Sequence, residues 1–251
     1  MGPPPASQPL SFVPFLEDVS EVAATGGLVI ELGEERKPAN DIIPEACFDA
    51  CSKWLELSVR HVLDAQVAKR AREASEGEVS AESEWECEAS MQAIVACATA
   101  VEALDAMLRT RVQLPRSLLD TWRETETPRH VQVAEVFQRA LSLSARATNA
   151  LRQNLGEIMR FRDLAVGATA KASGRVMDPE LQVGVEWRYV YFGCENALTI
   201  VRASLRLIWE LTGFGKTSDL ELQKYIDAVR LRIEAIPGAH TLRNVAQRQA
   251  S

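Results

Sequence analysis

The chain has 251 residues, of which 47% are hydrophobic and 25% charged, and a mean hydropathy of −0.10. That balance excludes collagen-like and disordered classes, and no stretch holds the ~18 uninterrupted apolar residues of a membrane span. With 28 basic against 35 acidic residues the net charge is −7, which argues against a nucleic-acid or anionic-membrane binder held by diffuse charge. Only a local basic face stays open.

Of the basic residues 22 are Arg and six Lys, a bias that favours forked contacts to carboxylate or phosphate. Five scattered cysteines, Cys47, Cys51, Cys87, Cys97 and Cys194, suit buried thiols in a reducing compartment rather than a disulfide scaffold. The opening residues have neither a basic nor an apolar targeting segment, so the expected location is the cytoplasm.

Residues 1–43 carry six of the 11 prolines and form an irregular N-terminal arm. Phe12, Val13, Phe15 and Leu16 could dock it on the body, and Leu28 to Leu32 could form one short strand. Pro44 suits the first turn of a helix that runs to about Arg72, with Ile43, Cys47, Cys51, Trp54, Leu55, Val59, Val62 and Leu63 on its apolar face. The stretch from Glu73 to Glu88 holds seven glutamates and is expected to be a solvated acidic loop.

A second helix is expected from about Trp85 to Val112, stopped by Pro115. After a turn with Leu118, Leu119 and Trp122, Pro128 opens a third, long helical region. Its stripe includes Val133, Phe137, Leu141, Leu151, Leu155, Ile158 and Met159, and Gly156 is where it should bend. Gly167 to Gly184 is expected to be a loop, and Val185 to Leu211 a fourth, aromatic-rich helix. Ser218 and Glu221 make a capping box for a fifth helix, Pro237-Gly238 ends it, and residues 237–251 form a flexible tail. The expected architecture is therefore all-α: a bundle of four to five long helices over residues 44–236.

Few motifs carry chemistry. Gly213-Phe-Gly-Lys-Thr-Ser suggests a phosphate loop, but Glu210 stands where that pattern needs glycine and a helix precedes it instead of a strand. A helix cap followed by the next helix start accounts for these residues. Cys47 and Cys51 share a helix face without a second pair, and His61, His130 and His240 lie far apart, so the sequence points to no metal and no cofactor.

The remaining feature is Ile158-Met-Arg-Phe-Arg-Asp-Leu-Ala-Val-Gly167. A loop with Asp178-Pro179 follows, then Val183-Gly-Val-Glu-Trp-Arg-Tyr189 and a helix with Glu195-Asn196-Ala197. Over about residues 90–213 this order resembles the HEPN (higher eukaryotes and prokaryotes nucleotide-binding) superfamily. In those helical bundles a long helix ends in Arg, a polar residue, three further positions and His. The resemblance implies that Arg stabilises a scissile phosphate while His transfers a proton. Here Arg162 and Asp163 match, but Gly167 replaces the histidine, and glycine transfers no proton.

Local charge points the same way. Residues 129–175 hold eight basic side chains against three acidic ones, so Arg152, Arg160, Arg162, Lys171 and Arg175 are candidate binding residues for RNA or an acidic protein. The leading expectation is a non-catalytic, HEPN-like binding or assembly protein, homodimeric as the resemblance implies. A second is a metal-independent endoribonuclease of toxin or defence type whose general acid or base is relocated, with Arg162, Asp163 and His130 as candidate catalytic residues and Tyr191 as a further nominal proton donor. A third is a helical scaffold that docks a protein through its acidic loop or N-terminal arm.

Overall fold

A computed structural model describes residues 49–74, 81–167, 175–177 and 184–244. The expected arm and its short strand, Lys171, and the end of the C-terminal tail lie outside these residues. The protein is all-α, as its periodicity requires. Its elements in chain order are α1 (Ala50–Ala74), α2 (Ala81–Arg109), α3 (Arg116–Glu124), α4 (Arg129–Leu141), α5 (Ala145–Val166), β1 (Arg175–Met177), β2 (Gly184–Glu186), α6 (Trp187–Tyr191), α7 (Cys194–Phe214), α8 (Leu220–Ala235) and α9 (Ala239–Asn244).

The centre of the molecule is the antiparallel pair α1 and α2. Cys51, Leu55, Ser58, Val62 and Ala65 are buried along one seam of α1, and Ser83, Glu86, Ser90, Ala93, Cys97, Ala100 and Leu104 along α2. Steps of three and four keep each seam facing its partner, and the small side chains let the two backbones approach closely. Helices α4, α5 and α7 pack on α2, and α8 and α9 close over α7. Trp187, Phe137, Phe192, Leu151 and Leu155 are fully buried in the single core; each such side chain contributes about 1.5–3 kcal/mol of transfer free energy. Helix α2 is long and apolar enough to cross a membrane by length and composition. Its apolar side chains instead join the common core.

Several boundaries differ from expectation, each for a local reason. The acidic stretch is not one loop. Glu73 belongs to α1, and Glu82, Glu84, Glu86 and Glu88 lie in the first two turns of α2, where carboxylates complement the helix dipole. Trp54 and Leu63, expected in the core, are 36% and 41% exposed because they fall to either side of the α1 seam. Leu118, Leu119 and Trp122 form helix α3, with Pro115 at its N-cap, and Trp122 is buried.

The long third helix is two helices. Ser142 adopts φ 51°, ψ 44° and ends α4, while the Ser144 side chain accepts the Ala147 N–H and starts α5. The chain breaks there and not at Gly156, which lies inside α5. The expected fourth helix is divided too. Val185 pairs with Val176 in the antiparallel β1–β2 ladder, and Gly193 separates α6 from α7. Asp219, not Ser218, caps α8 by accepting from the Glu221 and Leu222 amides. The expected flexible tail contains α9, whose Ala239 and Leu242 are buried.

Candidate functional site

Helix α5 presents Arg162 one turn before its end, and packing against α2 decides what that guanidinium meets. Its Nη1 donates to Glu102 Oε1 of α2 at 2.6 Å and its Nε to Asp163 Oδ1 at 2.9 Å. The side chain is 21% exposed. Burial works against its charge, yet the hydrogen bond and charge of Glu102, followed by those of Asp163, hold its pKa above the ordinary arginine value. Arg162 is thus clamped between two carboxylates and ties α5 to α2.

The other candidate residues are distributed around this joint. Arg160 gives both Nε and Nη2 to Glu157 and lies over the Phe161 ring at 4.6 Å. Arg152 reaches Glu135 of α4 at 3.6 Å, and Arg139 bonds the same carboxylate. Arg175 opens β1, in register with Glu186. The positive excess read from the sequence is therefore largely spent on neighbouring acids.

His130 does not join Arg162. It stands at the start of α4 with its imidazole against α5, where a Cβ added at Gly156 would lie 3.6 Å from His130 Cδ2. Six residues separate Gly156 from Arg162, which is about 9 Å along a helix axis. Burial, then the charge of Arg152, lowers the His130 pKa. Tyr191 packs on Phe161, with ring centroids 6.1 Å apart, and burial raises its pKa. The polar partners of Arg162 are Glu102 and Asp163, and neither of these nominal proton donors is among them.

Gly167 is the C-cap of α5, with φ −76° and ψ 119°, and its N–H bonds Asp163 O at 2.8 Å. It does not use the left-handed conformation of a common glycine cap. A Cβ here would stand 2.6 Å from Asp163 O. The backbone at Gly167 thus leaves no room for any side chain unless the helix end moves.

The sequence reading missed three buried acids. Asp105, 0% exposed, accepts from Arg109 Nε and Arg129 Nη2, each at 2.7 Å on Oδ2. Arg109 in turn stacks on Trp122, so one carboxylate fixes α2, α3 and the start of α4. Glu86 is paired with Arg72 at 2.8 Å and accepts the Cys194 amide at the start of α7. Asp49 caps α1 through the Cys51 and Ser52 amides and accepts from Tyr225 Oη at 3.1 Å, joining α1 to α8. An acid at stripe spacing, with Arg109 four residues after Asp105, was the available signal.

Among the described residues no three His, Cys, Asp or Glu side chains gather as metal ligands. Cys51 is buried and its proposed companion Cys47 lies outside the described residues. Burial, with nearby glutamates, pushes the thiols of Cys87 and Cys194 up to about 12, far from the range of a reactive thiolate. Comparison with protein-family models, with curated proteins and with solved structures finds no match to this chain.

Proposed function

We propose that the protein is a non-catalytic helical binding and assembly module, the reading that the HEPN resemblance favours when its histidine is replaced by Gly167. The observation that carries it is the clamp on Arg162. A guanidinium held by Glu102 and Asp163 must leave both before it can stabilise a scissile phosphate, and among the described residues its polar partners include no proton donor to complete the reaction.

The same pairing favours a protein partner, a second copy of this chain included, over RNA. A phosphate backbone offers negative charge alone and would have to displace Glu102, Glu135, Glu157 and Asp163 from their arginines. A protein surface carrying both signs can exchange these pairs without stranding a charge. Incubating the purified protein with single-stranded RNA tests this reading. The expected outcome is no cleavage and no retention at physiological salt. Cleavage abolished by Arg162→Ala, or RNA binding with a steep salt dependence, would overturn it.

A further inference from the structure

On α7 and the helices that close over it, α8 and α9, two arginines lie against one tryptophan. The Arg230 guanidinium carbon of α8 is 4.1 Å from the Trp209 ring centroid, and that of Arg243 from α9 is 3.7 Å away. All three side chains are half-buried. Among the described residues neither guanidinium has an ion pair or a hydrogen bond, so the N–H donors of both forks remain unspent.

Gly213, four residues beyond Trp209 on α7, makes the arrangement possible. A Cβ at that position would lie 1.9 Å from Arg230 Nη1, so the guanidinium occupies the space a side chain would fill. Of the two glycines in this motif, Gly213 lies inside α7 and Gly215 is the helix cap that the sequence leads one to expect. Burial, the largest cause, lowers the Arg243 pKa; the charge of Glu234 offsets part of this, and the smaller effect of Arg230 adds to it. Stacking on an indole offsets part of that cost but satisfies no N–H group.

We propose that Trp209, Arg230 and Arg243 form a binding site for a small phosphate monoester. Two adjacent cations call for a dianion, which a phosphate monoester supplies near neutral pH, whereas one carboxylate would leave a positive charge uncompensated. Forked guanidinium donors match phosphate oxygens in geometry as well as charge. The site lies on α7, α8 and α9, away from the α2–α5 joint, and does not depend on the function proposed above.

Titration of the full chain with inorganic phosphate, adenosine monophosphate and acetate, read by calorimetry and by the arginine Nε–Hε resonances, tests the assignment. Phosphate and the nucleotide are expected to bind saturably and acetate far more weakly, with nucleotide affinity rising as pH passes about 6 and the dianion forms. Equal affinities would confine recognition to the phosphate, and a tighter nucleotide would extend the site to the nucleoside. Arg230→Gln and Arg243→Gln should each weaken binding about tenfold or more, the loss expected for one charge-assisted contact. Gly213→Ala keeps both charges but displaces Arg230, so it should weaken binding to a similar degree. Thermal melts establish that each variant is folded, and should Gly213→Ala fail to fold, the two glutamine variants decide. Absence of saturable binding at millimolar phosphate, equal binding of acetate, or unchanged affinity in the folded glutamine variants would overturn the proposal.

Discussion

The α2–α5 joint and the α7–α9 cluster both concentrate arginine, yet they differ in what the cations face. At the joint Arg162, Arg160, Arg152, Arg109 and Arg129 each meet a carboxylate. In the α7–α9 cluster Arg230 and Arg243 meet one indole ring, and neither has an ion pair among the described residues. The joint was the region where sequence pointed to free positive charge, and it is the more nearly neutral of the two. A count of basic residues along a chain measures charge present; only the partners brought by neighbouring helices fix the charge available to a ligand.

The largest expected effect comes from removing the acid that holds the joint's interior. Asp105→Ala leaves Arg109 and Arg129 without their shared carboxylate, and breaking a buried pair in this way should destabilise the fold by about 3 kcal/mol, with the partial solvation of Arg129 keeping the loss at the lower end of the usual range. Denaturant unfolding measures it. A loss below about 0.5 kcal/mol, typical of a surface change, would show that the joint is held by apolar packing alone.

Gly167→His tests whether the end of α5 can accept the histidine of the HEPN pattern that this chain is proposed to resemble. Its Cβ meets the Asp163 carbonyl at 2.6 Å, so the variant should cost about 1–2 kcal/mol and gain no RNA cleavage. Cleavage acquired together with unchanged stability would refute the steric account. A smaller effect is expected from Arg162→Ala and Glu102→Ala, which should each destabilise by about 1 kcal/mol after allowance for partial solvation. Their double-mutant cycle should return a coupling of about 0.5–1 kcal/mol, and additive losses would mean that the clamp is open in solution.

The smallest effect is electrostatic. Because His130 has a depressed pKa in the folded protein, its neutral form is favoured there, and the associated stability is present above the ordinary value of 6.5 and lost as pH falls through the folded value. Arg152→Gln removes one of the two causes and should move the His130 titration upward without fully restoring it, since burial is the larger. Imidazole NMR titration reads the shift, and an unmoved titration would separate Arg152 from this surface.

Much of the helical architecture was legible because it rests on short-range patterns. The seams of α1 and α2 follow from apolar and small residues repeating at three and four positions, and Pro115 and Pro128 mark helix starts because the ring fixes φ and lacks an amide donor. The break between α4 and α5 was missed because apolar periodicity continues across it, while the side chain that starts α5 is the less conspicuous Ser144. Gly156 drew attention as the residue with lowest helix propensity, yet burial of the surrounding Leu155, Ile158 and Met159 keeps it helical.

At the candidate site, Arg162, Asp163 and Gly167 were identifiable as a motif, while Glu102, sixty residues earlier, was not. The same separation hid the link from Trp209 to Arg230 and Arg243, and the reason for Gly213 with it. The sequence by itself determined an acidic, all-α protein and where most of its apolar faces lie, because those properties depend on composition and on neighbours within a turn or two. The tertiary structure alone decided which charges cancel and which remain, because an ion pair depends on side-chain atoms meeting within a few ångströms, and helix packing brings such atoms together across any length of chain.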